Sequence, residues 1–506
     1  MRTVLLRFPT VMPEGQFNVS SVAPPLSLAC LAAYAELHGF PVTVVDCLGE
    51  APEHVGTLGG KRLKYRGLSP ENMLARIPPG TDVIGISCMF SSEWPFYREM
   101  LAGLRRAFPG AVLIAGGEHV SALPELVLAQ APGLDLAVIG EGEETLRELL
   151  EAISRGAGTG GVNGIAFRRG ASIVITPQRE RLRAGDLPLP AWDAVPIENY
   201  FKAKVSHGPY LGRTLPVLAS RGCPYACRFC SNARMWGARH EQRPPEDVVR
   251  EIELYVEKYN VQCVDFYDPS PVTGRQWLRD FCGLMLARKV KARWQMASGT
   301  RVESLDEELV ALAGAAGCRY LGFAPESGSP ETLRAVDKKL DLADLHRAVK
   351  AARKHKLGVK ANLVIGFPGE TRRQIFRTLL LQLRLALAGV SDAPIFQFSP
   401  YPGSAYFEDL RRRKLIPELN DAYFNSLGLN LFSGNRNRYC GAAGPLELSL
   451  YQLSGTLLFY AVHYLTHPLE FCKAVLFWNS SSSVFEARLK QNLKALLGGK
   501  PENEVR

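Results

Sequence analysis

What this 506-residue chain lacks narrows its class before any motif is considered. No stretch reaches eighteen apolar residues without interruption, so no membrane-spanning helix is expected. The opening "MRTVLLRFPT" has too short an apolar core, with Arg7 inside it, to act as a signal peptide. No Lys/Arg run with interleaved aromatics is present. The formal charge of +10 therefore implies an Arg-rich solvated surface and no nucleic-acid partner. Internal repeats and low-complexity tracts are absent, and so is a GxGxxG turn, which disfavours a nicotinamide-binding fold. What is there is ordinary for a soluble globular protein: 46% apolar and 22% charged residues. Eleven cysteines without a signal peptide point to the reducing cytoplasm, with most thiols free or buried.

The first third alternates short apolar runs with helical patterns. "TVLLRFP" (3–9), "VTVVDC" (42–47), "DVIGISCMF" (82–90), "AVLIAGGEH" (111–119) and the start of "LDLAVIGEGEETLRELLEAI" (134–153) have the length and composition of buried strands. "PPLSLACLAAYAELHGF" (24–40) has helical spacing and stops at Gly39. Such alternation predicts parallel βαβ units, a doubly wound sheet whose ligands sit beyond the carboxyl ends of its strands. Those ends carry Ser87, Gly116-Gly117 and Gly140-Glu141-Gly142. Glycine there either makes a tight turn or lets a ligand approach the backbone closely, and both readings stand. A hairpin, "GIAFRRGASIVITP" (164–177), and a proline-rich connection, "DLPLPAWDAVP" (186–196), follow. The expected division is a domain over 1–185, a linker over 186–205, a second domain over 206–410 and helices over 411–506.

"SRGCPYACRFCSN" (220–232) places Cys223, Cys227 and Cys230 within thirteen residues, behind the expected strand "TLPVLAS" (214–220). Thiolates at this density bind an iron–sulfur cluster or zinc. Three is one short of the usual four ligands. Either a remote cysteine closes the site, Cys263 or Cys318, or one metal position is left open for a substrate, as in catalytic sites.

C-x3-C-x-aromatic-C after a strand resembles the signature of radical S-adenosylmethionine (SAM) enzymes. Further segments resemble that family in order: "VDFYDPSPV" (264–272), "RWQMASGTRV" (293–302), "RYLGFAPESGSPETL" (319–333), "ANLVIGFPGET" (361–371) and "PIFQFSPYPGSAYF" (394–407). The resemblance implies a partial (β/α)6 barrel with function at the carboxyl face of its strands. It implies a [4Fe–4S] cluster held by Cys223, Cys227 and Cys230, with SAM on the open iron. Phe229 would pack on the adenine, and Ser298 and Glu326 would contact SAM. Apart from the resemblance, Glu326 is equally a carboxylate near a helix N-terminus. Many relatives have two acidic residues after the second strand; here the pair is Asp268-Pro269, so only Asp268 is acidic.

The preceding sheet, in "IAGGEHVSALPE" and "DLAVIGEGEETLREL" above all, makes the whole similar to the cobalamin-binding radical SAM subfamily. A flavodoxin-like domain would then carry cobalamin on Ser87, Gly116, Gly117, Gly140, Glu141 and Gly142. The Asp-x-His-x-x-Gly motif that ligates cobalt in many other cobalamin proteins is missing. His38 ends a helix, and His119 is the only histidine at a strand end, so cobalt without a protein imidazole is expected. The resemblance implies hydrogen abstraction by a 5′-deoxyadenosyl radical, an electron donor such as flavodoxin or ferredoxin, and methyl transfer to an unactivated carbon. Ring formation or rearrangement is the alternative, because architecture does not fix the reaction.

Beyond 410, "LELSLYQLSGTLLFYAVHYLTHPLEFCKAVLFW" (446–478) is strongly apolar and is divided by Pro468. "SVFEARLKQNLKALLG" (483–498) is amphipathic with basic positions. These are a helical cap on the barrel, a wall for a hydrophobic substrate built from Phe459, Tyr460, Phe471, Phe477 and Trp478, or a contact with a membrane periphery.

Overall fold

The computed structural model describes residues 1–13, 22–58, 63–237, 239–271, 274–416, 418–428 and 439–476. Two parallel sheets dominate. In the first, β1 (Thr3–Arg7), β2 (Val42–Asp46), β3 (Val83–Ser87), β4 (Val112–Gly116) and β5 (Leu136–Val138) run parallel in the order β2-β1-β3-β4-β5. That is the flavodoxin-like order, whose direction of winding reverses between β1 and β3. The hairpin β6 (Ile165–Arg169) and β7 (Ser172–Ile175) extends the sheet antiparallel beyond β5. Burial of Val4, Leu5, Leu6, Ile84, Ile86, Leu113 and Ala115 on both faces explains the continuous apolar runs.

The second sheet contains β8 (Thr214–Val217), β9 (Cys263–Phe266), β10 (Arg293–Thr300), β11 (Cys318–Glu326), β12 (Gly358–Ile365) and β13 (Ile395–Gln397), all parallel and in sequence order. Pro216 cannot donate to a ladder, which suits β8 to an edge. Along β12 buried and half-buried residues alternate, as in a curved sheet with an inside and an outside. Phe266, Phe281 and Trp294 pack edge to face, at centroid separations of 5.5–5.9 Å, between the sheet and its helices. Each such ring contributes about 1.5–3 kcal/mol of burial free energy.

Two features depart from the sequence reading, and a third favours the helical cap among its alternatives. The proline-rich connection is no loose linker: Trp192, Ile197, Tyr200 and Phe201 are buried, and a short helix, Ile197–Lys202, forms. Its aromatic residues outweigh its prolines. A small antiparallel sheet of Thr10–Pro13, Leu63–Arg66 and Val55–Leu58 was not foreseen. The helices Pro445–Thr466 and Pro468–Leu476 do divide before Pro468, but the first packs on helix Arg372–Leu387 and strand β13, outside the barrel. Phe459 is buried in the core, Tyr460 bonds Asp392 at 2.9 Å, and Phe471 is exposed, so these three line no wall at the mouth. Phe477, Trp478 and residues 483–498 lie outside the described residues. No helix among the described residues is long and apolar enough to cross a membrane.

Candidate active site at the facing strand ends

At the carboxyl edge of the first sheet the register aligns Asp46, Arg7, Ser87 and Gly116 in one row across β2, β1, β3 and β4. The two halves of that row differ. At one end Tyr200 donates to Asp46 Oδ2 at 2.5 Å, and Arg7 Nη1 lies 3.1 Å from the Tyr200 hydroxyl and 3.8 Å from Asp46. At the other end, past the reversal between β1 and β3, stand only Ser87 and Gly116, followed by Gly117. Gly117 has φ +116°, and a Cβ there would lie 2.7 Å from the Cys88 carbonyl oxygen. Only glycine fits that corner. Gly140 also has a left-handed φ of +81°. Gly142 faces inward, where a Cβ would meet Leu31 at 3.3 Å.

The cysteine loop leaves β8 and is pinched at its base by Ser220–Arg221 pairing with Glu241–Gln242. Gly222 at φ +83° brings the two sides so close that a Cβ would sit 2.0 Å from the Arg239 carbonyl oxygen. Asp268 holds the entry to the loop, accepting from Ser220 Oγ at 2.6 Å and Ala219 N at 3.1 Å. Burial pushes its carboxyl up to about 6. Cys223, Cys227 and Cys230 are half-buried and free of disulfides. Among the described residues no three His, Cys, Asp or Glu side chains converge on a single ion. A multi-iron cluster needs no such convergence, because each thiolate takes its own iron. Cys263 and Cys318 open β9 and β11, fully buried at the opposite end of the barrel, so neither completes the trio.

Beside the loop lies a cationic corner that sequence reasoning missed. Lys338 Nζ is 3.1 Å from Glu326 Oε1, and the Arg301 guanidinium stacks on Tyr225 at 3.9 Å. Glu326 ends β11 at a left-handed φ of +64°, a strained setting for a non-glycine residue. Burial pushes the Glu326 carboxyl up, and Lys338 opposes this. Burial likewise raises the Cys227 thiol, while Lys338 and Arg301 favour its thiolate. No local signal marks Lys338 or Arg301; the end of β10 brings Arg301 to Cys227, and the segment after β11 brings Lys338. Phe229 packs at 5.7 Å on Phe367, and Ser298 Oγ donates to the Phe266 carbonyl at 3.3 Å.

The two edges meet. Ser231, next to Cys230, donates to Glu118, next to Gly117. Arg221 donates to Glu143 at 2.5 Å and lies 3.6 Å from Glu141, which is 3.6 Å from Arg181. Glu141 is thus engaged by arginines and does not face an open pocket. Trp236 carries Arg181 and Arg221 on its ring, each at 5.8 Å. Between the edges is a cavity of about 380 Å³ lined by Met89, Leu218, Arg221, Trp236, Tyr267 and Asp268, with Ser298 at its wall. His119 turns away from it: Nδ1 bonds Ser91 Oγ at 2.9 Å, the ring packs on Trp94 and Phe424, and burial lowers its pKa to about 3. His38 bonds the Tyr34 carbonyl at the end of its helix.

Residues 17–150 match the B12 binding domain model, and residues 217–381 match that of the radical SAM superfamily. The chain belongs to the cobalamin-binding radical SAM family. Membership brings a [4Fe–4S] cluster, SAM and cobalamin as cofactors. An uncharacterized methyltransferase of Pyrococcus horikoshii is 27% identical over 422 residues, 82% of this chain and 85% of that one. The cytidylyl-2-hydroxyethylphosphonate methyltransferase of Streptomyces wedmorensis is 28% identical over 430 residues, 79% of this chain and 80% of its own. Among solved structures, the radical SAM methyltransferase TsrM of Kitasatospora setae, with cobalamin and a [4Fe–4S] cluster bound, has the same fold. Its TM-score is 0.63 at 19% identity, covering 81% of this chain and 78% of that chain.

The residues present fit these groups. Three unpaired thiols beside two cations suit an anionic thiolate cluster. Opposite, Gly116 and Gly140, where a Cβ would meet nothing nearer than 3.6 Å and 3.9 Å, leave room beside the backbone past the point where the strand order reverses.

Proposed function

We propose that this enzyme methylates an unactivated carbon of a bulky, largely apolar small molecule. The observation that carries the reading is the contact between the cysteine loop and the glycine corner, through Ser231–Glu118 and Arg221–Glu143. In this reading the contact holds the loop of the radical-generating site against the edge of the methyl-donating site. The similarity to methyltransferases over four-fifths of both chains adds support.

In this reading residues 1–185 hold cobalamin, 186–205 connect, 206–410 form the barrel and 411–506 the helical end. Cys223, Cys227 and Cys230 ligate the cluster. Phe229, Ser298 and Glu326 contact SAM, and Lys338 and Arg301 take its carboxylate. Ser87, Gly116, Gly117, Gly140 and Gly142 floor the cobalamin site, and Glu141 serves it indirectly by fixing Arg221. The bound cofactors supply a 5′-deoxyadenosyl radical and a transferable methyl group. Met89, Leu218, Trp236, Tyr267 and Pro269 give the cavity an apolar wall for the substrate, beside a polar one of Ser220, Arg221, Asn232, Asp268 and Ser298. The charged substrate named for the Streptomyces relative differs in class, so this part rests on the cavity's own lining. A flavodoxin or ferredoxin donates the electron, and the enzyme works in the cytoplasm at the periphery of a membrane.

The deciding experiment gives SAM labelled in its methyl group to the reconstituted enzyme with a lipid extract. Label in the product, with S-adenosylhomocysteine and 5′-deoxyadenosine both released, is expected. Unlabelled product with 5′-deoxyadenosine alone overturns methyl transfer in favour of ring formation.

A further inference from the structure

Helix Pro445–Thr466 carries apolar residues on both of its faces. Its buried face mixes Leu448, Gly455 and Phe459 with the polar Gln452, Thr456 and His463. Gln452 Nε2 donates to the Ile395 carbonyl at 2.8 Å, and His463 Nε2 lies 3.0 Å from Glu470. Its outer face is a stripe of Leu446, Leu450, Leu453, Leu457 and Leu465, the first and last 81% exposed. The stripe runs roughly 29 Å at 1.5 Å per residue. The adjoining helix Arg372–Leu387 exposes Phe376, Leu380 and Leu387 in the same way, and helix Pro468–Leu476 adds Leu469 and Phe471. Scattered exposed leucines need no explanation, but aligned stripes on neighbouring helices mark an interaction surface.

Charge selects the occupant. Arg373 and Arg384 are exposed on the helix that bears Phe376, and neither has an ion pair among the described residues. The only carboxylate on the two long helices, Glu447, is taken by Arg372 at 2.6 Å. A second copy of this face would bring arginine against arginine. The segment 483–498, with Arg488, Lys490 and Lys494 against the single acid Glu486, offers no better match. Lipid phosphates meet both demands at once: apolar depth for the leucines and negative charge for the arginines.

We propose that the outer faces of helices Arg372–Leu387, Pro445–Thr466 and Pro468–Leu476 form a docking surface for a bilayer containing anionic lipid. This rests on the part of the functional reading that places the enzyme at a membrane. Methyl transfer is not involved, so vesicle binding and label transfer fail separately. The helices lie in the interfacial plane and do not cross it.

The test is cosedimentation of the purified full-length protein with sucrose-loaded vesicles, of phosphatidylcholine alone and with phosphatidylglycerol. Binding to the anionic vesicles is expected, falling as salt rises. Leu450→Glu with Leu457→Glu should lower partitioning by about tenfold or more. Arg373→Gln with Arg384→Gln should lower it by about tenfold on anionic vesicles only. Because these positions are exposed, folding should survive, and retention of the corrin band on gel filtration verifies it. Leu450→Ile is the control that keeps binding. Absence of wild-type binding to both vesicle types overturns the proposal. So does equal binding by the glutamate variant, or a stable dimer that the glutamate variant disperses.

Discussion

The cysteine loop and the strand ends of the first sheet press against each other, yet they are assembled in opposite ways. The loop takes its three thiols from eight consecutive residues, pinched at one glycine and tied by Asp268. The opposing edge draws Ser87, Gly116, Gly117 and Gly140 from three strands separated in sequence, and its shape comes from residues that are small. One region works by donors concentrated in sequence, the other by side chains left out. The comparison teaches that a site of presence should fail by deletion and a site of absence by addition.

The largest effect tests that directly. Substituting Cys223, Cys227 or Cys230 with Ala should abolish the cluster, measured as iron and labile sulfide after anaerobic reconstitution. Cys263→Ala and Cys318→Ala should keep it, being buried at the far end of the barrel. Equal loss at either would restore a four-ligand site.

Addition should do the same on the other side. Gly116 has no left-handed φ, and a Cβ there meets only Val138, at 3.6 Å, so the fold tolerates a side chain. Gly116→Leu should lose the corrin band on gel filtration while keeping the cluster. Gly142→Leu should instead press on Leu31 and lower stability.

The joint between the regions comes next. Arg221 and Glu143 are both buried, and removing one partner leaves an uncompensated charge. Arg221→Met should cost about 3–5 kcal/mol in denaturant unfolding. Arg221→Met combined with Glu143→Leu should recover most of it. If the single and double variants are equally unstable, the pair is not what couples the two edges.

The smallest effect belongs to Asp268. Its folded pKa of about 6 lies above the ordinary value of 3.8 because burial penalises the charge. A raised pKa gives stability that is fully present below the unfolded value and is lost as pH rises through about 6. Relative to Asp268→Asn, the wild type should therefore lose at most about 3 kcal/mol between pH 4 and pH 7. Parallel melting curves for the two proteins across that range would show that the carboxyl does not titrate there.

Much of this was legible in the chain. The apolar runs located the parallel strands of the first sheet, because a strand buried on both faces has little room for polar residues, and the family resemblance located most of those of the second. The cysteine spacing located the loop. The connection at 186–205 misled because its prolines are conspicuous, whereas the burial of Trp192 and Tyr200 depends on partners far away. The small sheet around Leu63–Arg66 was hidden by Lys64 and Arg66, which mask alternation in a half-buried strand. His119 stood at a strand end in sequence, but helix geometry turned it toward Trp94.

By itself the sequence determined what is local: three thiols within reach of one cluster, glycines at strand ends, and a helical end too apolar for an ordinary surface. Only the tertiary structure decided which distant groups join them. Lys338 and Arg301 reach Cys227 because they follow strands of the same barrel sheet, whereas Glu118 meets Ser231 and Arg221 bridges to Glu143 because two sheets present their carboxyl edges to each other. It also decided that the leucines of Pro445–Thr466 face outward. Composition sets how much apolar surface a helix carries, but the neighbours that bond Gln452 and pair His463, with the core that takes Leu448 and Phe459, set which way it turns.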